Sequence, residues 1–212
     1  YFTRLFMYRQ RLLEFFFLAC RVTIAMGLVS VVLMAPPLIA ANQRLTRLVS
    51  PLLPALDISQ EITPATEHAA TMDALQVVWF GKSDSSLYSS AEVAHLLDVH
   101  HLFIWGSFSV GCAVALLILL EKHVIDERVA RDTRRFIVFS STLIMLCLLF
   151  FSFSFELFHQ VFFPQGNYSF PEKSMIIQTF PPLFWALQVC WLQLGMSIVL
   201  LLQARYAERG TI

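Results

Sequence analysis

The sequence predicts an all-α membrane protein: a four-helix transmembrane bundle with one long and one short extracytoplasmic loop and both termini cytoplasmic. Composition comes first. Of 212 residues 57% are hydrophobic and only 14% charged, a balance that a soluble domain of this length does not need. Four runs free of Asp, Glu, Lys, Arg and His reach the roughly 20 residues a helix needs to cross a hydrocarbon core. They are Val22–Ala41, Leu102–Leu120, Phe136–Phe155 and Leu183–Gln203. Orientation follows from the cations: eleven Lys and Arg precede the first run, separate the second from the third or follow the fourth, against four in the remaining segments. The Lys- and Arg-rich side is cytoplasmic, which leaves segments 42–101 and 156–182 outside.

The first run is too long for the apolar core of a signal peptide, and no small-residue cleavage pattern follows Pro36-Pro37, so it reads as a helix of the mature protein. In the long outer loop, Arg44–Val49 reads as a piece lying flat on the headgroups, Arg outward and Leu inward. Pro51, Pro54 and Pro64 break the next part of the loop into short pieces, and Leu75–Phe80 reads as a short extended stretch before a turn over Gly81–Ser86. Ser89 and Glu92 have capping-box spacing, so a helix starts near Ser89 and runs into the second span. With no internal repeat and no linker, residues 1–212 read as one integral membrane domain. Cys20, Cys112, Cys147 and Cys190 each fall in or beside a different run without paired spacing, so neither a disulfide nor a cysteine metal site is expected. A net charge of zero and the lack of a basic, aromatic-interleaved patch argue against nucleic acid as a partner, and no cofactor is expected.

The chemistry concentrates at two places. Glu92, His95 and Asp98 follow one another at intervals of three and share one helix face, with His101 drifting off its edge. Glu156 and His159 repeat the spacing at the outer end of the third span. Spans two and three both open on the outer face, so His95 and His159 arrive at similar depth from separate parts of the chain. A carboxylate one turn from an imidazole can fix its tautomer, which a general base requires. The plain alternative is a helix start decorated with solvated polar groups. A third is a metal held by His95, Asp98, His101 and His159, although ligands at three-residue intervals spread over about 120° of a helix and no HExxH-type spacing is present. Asn167 either supplies an amide or holds the Gly166 turn, and Phe158, Phe162, Phe163, Phe170, Phe180, Phe184 and Trp185 form the interfacial belt and bundle packing or line an acyl groove.

Two stretches, SAEVAHLLDV at Ser90–Val99 and FHQVFFPQGNYSF through IIQTFPPLFW within Phe158–Trp185, resemble a bacterial family of four-span membrane proteins that includes the lipoprotein intramolecular transacylase, Lit. The resemblance implies an enzyme of the bacterial cytoplasmic membrane, its site facing outward. It moves the sn-2 acyl chain of a diacylglyceryl-cysteine onto that cysteine's α-amine, so its partners are diacylated lipoprotein N-termini and membrane lipids. The family's two functional histidines carry over onto His95 and His159, with Glu92, Asp98 and Glu156 in support and Asn167, Tyr168, Ser174 and Gln178 toward substrate. Departures stand at Leu96, where the family usually carries Met, and near Ser174 and Gln178, where an acid and an Arg are expected. On helix-dipole grounds His95 is expected to be the base, oriented by Asp98, and His159 the acid or oxyanion stabiliser, with a nucleophilic histidine passing through an acyl-imidazole as the alternative. The alternatives are a non-enzymatic docking subunit and a metal-dependent membrane hydrolase. Transport is disfavoured, because no span holds an ionisable residue.

Overall fold

A computed structural model describes residues 2–56, 61–121 and 126–209. They form α1 (Phe2–Leu33), α2 (Pro36–Val49), α3 (Pro64–Phe80), α4 (Ser90–Leu120), α5 (Asp126–Leu149), α6 (Phe151–Phe162), α7 (Met175–Thr179) and α8 (Pro182–Arg209), with no strand among the described residues. Met7–Leu33, Ser90–Leu120 and Pro182–Arg205 are long and apolar enough to cross a membrane, and α5 with α6 makes a fourth if that broken pair counts as one span. The protein is therefore all-α with three to four spans.

Two of the expected spans have different bounds. Val22–Ala41 is not one helix, because α1 ends at Leu33 and Pro36 starts α2. Proline has no N–H to donate and its ring collides with the carbonyl four residues back, so it opens a helix but does not continue one. The crossing segment lies further upstream and includes Arg9, Arg11, Glu14 and Arg21, which the charge-free run places before the span. Phe136–Phe155 is broken at Phe150, whose φ of −114° and ψ of 46° leave the helical region.

The chain forms two compact units. One comprises Tyr1–Val32, Gly106–Leu146 and Trp191–Ile212. Its helices approach closely at glycine: a Cβ added to Gly195 would stand 2.7 Å from Val29 Cγ1, and one added to Gly27 would overlap Val110. Ala25, Met196 and Leu200 are its buried centre. Gln193 Nε2 donates to Ser140 Oγ (3.0 Å), Ser141 Oγ (2.9 Å) and Ser197 Oγ (3.2 Å).

The other unit comprises Leu33–Trp105 and Cys147–Cys190, and contains the outer-loop elements. Here α2 turns its polar side inward: Asn42, Gln43 and Thr46 are buried, and of the Arg44–Val49 piece Arg44 is exposed as expected while Leu48, expected inward, is 74% exposed. The reason is that neighbouring main-chain carbonyls need donors. Asn42 Nδ2 donates to Phe184 O (3.2 Å) and Gln188 Oε1 (2.9 Å), Gln43 Nε2 donates to Thr179 O (3.2 Å) and Thr71 Oγ1 (2.8 Å), and Arg47 pairs with buried Glu67.

Leu75–Phe80, expected to be extended, is instead the end of α3. Thr63 caps that helix by accepting from Thr66 N, and Pro64 occupies its first turn. Ala70, Ala74, Val77 and Val78 then pack with Tyr88, Val93, Leu96 and Ile176, and this burial outweighs the strand preference of the valines. Tyr88 donates to Ala70 O (3.0 Å), and burial pushes its phenol pKa above the ordinary value. Gly81 ends α3 at φ +66°, donating to Val77 O (2.8 Å), and His100 Nδ1 donates to Val78 O (2.8 Å). A Cβ at Gly81 would meet His100 Nε2 at 3.1 Å. Gly81→Ala is thus expected to destabilise by about 1–2 kcal/mol, read as a lower melting temperature in detergent.

Candidate functional site

Ser89 and Glu92 form the anticipated capping box: Glu92 Oε2 accepts from Ser89 N (2.8 Å) and Ser89 Oγ (2.7 Å), and Ser89 Oγ accepts from Glu92 N at 3.4 Å. The other oxygen, Oε1, accepts from Ile176 N at 2.8 Å, which ties the start of α4 to α7. One turn further along α4 stands His95. From α6 comes His159, and the two rings stack with centroids 6.0 Å apart and planes 26° off parallel. Both residues are buried, 7% and 8% exposed, in a neighbourhood where most of α6 is open.

Aromatic rings make the walls. His95 lies 4.8 Å from Phe163 and 5.7 Å from Phe170, both edge-on. His159 lies 4.2 Å from Phe155, 5.4 Å from Phe158 and 5.0 Å from Tyr168. His159 Nδ1 is 2.7 Å from Phe155 O, the carbonyl one turn back. A carbonyl oxygen only accepts, so Nδ1 carries a proton, and in the neutral ring Nε2 is a bare lone pair. His95 differs in that its Nδ1 is buried without a partner.

The carboxylates serve elsewhere than expected. Asp98 does not hold His95; its Oδ2 accepts from Gln165 Nε2 (2.8 Å) and Asn167 Nδ2 (2.5 Å). Glu156 Oε1 accepts from Tyr168 OH (2.9 Å) and Gln160 Nε2 (3.0 Å), and the tyrosine bond raises the Tyr168 pKa, so the phenol stays protonated. The result is a Gln165–Tyr168 segment strapped to α4 by Asp98 and to α6 by Glu156, its tyrosine over His159. Gly166, at φ +79°, makes the turn that brings it round.

Two other candidates lie apart from the imidazoles. Gln178 uses both ends of its amide on the main chain, accepting from Glu61 N (2.7 Å) and donating to Glu172 O (2.9 Å), so it braces the loop. Ser174 caps α7 through its backbone, with its Oγ buried and unpartnered. Gln165 was missed, and only its place beside Gly166-Asn167 could have pointed to it. His101 is exposed and its ring lies 5.7 Å from that of His100. No three His, Cys, Asp or Glu side chains among the described residues converge on a position for a metal ion, so the metal reading has no ligand set.

These features define a membrane-integral, all-helical protein with a buried pair of imidazoles walled by aromatic side chains. The family model described as lipoprotein intramolecular transacylase Lit matches residues 65–185, more than half the chain, and the chain belongs to that family. The fold is that of the membrane integral lipoprotein intramolecular transacylase Lit from Bacillus cereus, with a TM-score of 0.69 at 19% identity over 96% of this chain and 98% of that one. A histidine-to-arginine variant of the Bacillus cereus protein gives a TM-score of 0.67 at 16% identity, over 99% of this chain and 96% of that one. No curated protein matches the chain by sequence.

Proposed function

We propose that the chain is an acyltransferase that moves the sn-2 acyl chain of a diacylglyceryl-cysteine lipoprotein to the α-amine of the same cysteine. The observation that carries this reading is the stacked, buried pair His95 and His159, with the proton of His159 fixed on Nδ1. Ester and amine belong to one molecule, so the encounter entropy is largely met by the substrate, and the protein must align the two and move a proton. His159 Nε2 suits the base, which reverses the assignment expected from the helix dipoles. The amine nitrogen attacks the ester carbonyl, the C–N bond forms, and the amine proton passes to Nε2. The C–O bond then breaks and that proton goes to the sn-2 oxygen. His95, within 6.0 Å, hydrogen-bonds the carbonyl oxygen as it gains charge.

The distribution of Lys and Arg supports placing the site on the outer face of the bacterial cytoplasmic membrane, with both termini inside. Purified protein incubated with a synthetic diacylglyceryl-cysteine lipopeptide is expected to give a product of unchanged mass. Its fragmentation should place one acyl group on nitrogen. Release of free fatty acid in place of this isomer would indicate a hydrolase and overturn the reading.

A further inference from the structure

Three polar groups at the site remain uncommitted, and they belong to neighbouring residues. Asp98 spends one carboxylate oxygen, Oδ2, on the amides of Gln165 and Asn167, which leaves Oδ1 as an acceptor. Because a carboxylate only accepts, the Asn167 amide must turn its nitrogen to Asp98, and its oxygen is left buried with no donor. His95, one turn before Asp98 on the same face, is more than nine-tenths buried with Nδ1 unpartnered. Its ring packs on Phe163 and Phe170, the residues that bracket the Gln165–Asn167 turn in the chain. Buried polar atoms without partners are rare in folded proteins, and two of them, His95 Nδ1 and Asn167 Oδ1, belong to this candidate site.

We propose that Asp98, Asn167 and His95 form a subsite for the substrate's α-amino group. A primary ammonium ion offers three N–H donors and no acceptor, and this set offers a carboxylate oxygen, an amide oxygen and an imidazole nitrogen. An N-acylated terminus, with one N–H and no charge, satisfies at most one of them. The subsite therefore distinguishes the free amine of the substrate from the amide of the product, and favours release once transfer has occurred. An α-amine has an ordinary pKa of about 8, so at neutral pH it arrives mostly charged; it gives one proton to His159 Nε2 and so on to water before the neutral nitrogen attacks. The inference rests on the transacylase reading for the identity of the amine, and its test separates the two.

Displacement of a diacylglyceryl-cysteine lipopeptide, fluorescently labelled at its peptide C-terminus, is measured on the purified chain with two competitors, the unlabelled lipopeptide and its N-acetylated form. The wild-type protein is expected to prefer the free amine by about tenfold or more, the range of a charge-assisted hydrogen bond. Asp98→Asn is expected to bind both forms about equally. Equal displacement by the two competitors on wild-type protein overturns the subsite whether or not any variant folds, and so does a preference that survives in Asp98→Asn. If wild-type protein performs no acyl shift yet keeps the preference, the transacylase reading falls and the subsite stands. If it performs the shift with no preference, the subsite alone falls.

Discussion

His159→Ala is expected to lower the acyl-shift rate by about 10³-fold, at the centre of the range for removal of a positioned general base. The reasoning is geometric. The Phe155 carbonyl fixes the proton on Nδ1, leaving Nε2 as the lone pair of a ring packed against Phe155, Phe158, Phe163 and Tyr168. His95→Ala is expected to fall in the same range, and the double variant to be little worse than either single one, because base and oxyanion donor act together on one transition state. Initial rates with a diacylated lipopeptide, read by mass spectrometry, check this. Near-normal turnover in both single variants would rule out the scheme. Neither change should unfold the protein: the backbone bond from Phe163 N to His159 O is kept, and His95 Nδ1 has no hydrogen bond to lose.

Glu92→Ala is expected to lower stability by about 3 kcal/mol, from the loss of carboxylate hydrogen bonds and the stranding of a buried donor. Glu92 is 4% exposed, closes the capping box of α4 with Ser89 and holds the main-chain N–H of Ile176. Ile176 is itself buried in the core that contains Val93 and Leu96, so its freed N–H finds no water. Glu92→Gln retains one acceptor for Ile176 and loses the bond to Ser89 N, so an intermediate loss is expected. Thermal melts of the two variants in one detergent give the order. A Glu92→Ala protein that melts with wild type would show that α7 is held by other means.

Much of this was legible in the sequence because membranes impose blunt rules. Length without charge marks a span, and Leu102–Leu120 and Leu183–Gln203 both lie inside single helices. The convergence of His95 and His159 was legible too, since helix ends at one depth are few. Hydrophobicity alone could not locate the breaks. Phe150 is as apolar as its neighbours, and the inward polar face of α2 resembles an ordinary amphipathic surface until the carbonyls of Thr179 and Phe184 are seen opposite it. The carboxylates misled for a similar reason. Spacing of three puts Asp98 and Glu156 beside a histidine, but it does not show that Asn167, Gln165 and Tyr168, more than ten residues away in the chain, are better partners.

The single amide of Gln193, shared among Ser140, Ser141 and Ser197, bears on how α5 and α8 assemble in lipid. Its two hydrogens cannot serve three hydroxyls at once, and its Oε1 is buried without a partner, so these hydroxyls are the contacts the amide has. Hydrocarbon offers no substitute acceptor, and a slip of one helical turn along the axis would leave the group stranded. Sliding is thereby confined to discrete steps, which sets the vertical alignment of the two helices by chemistry where greasy surfaces alone would tolerate many.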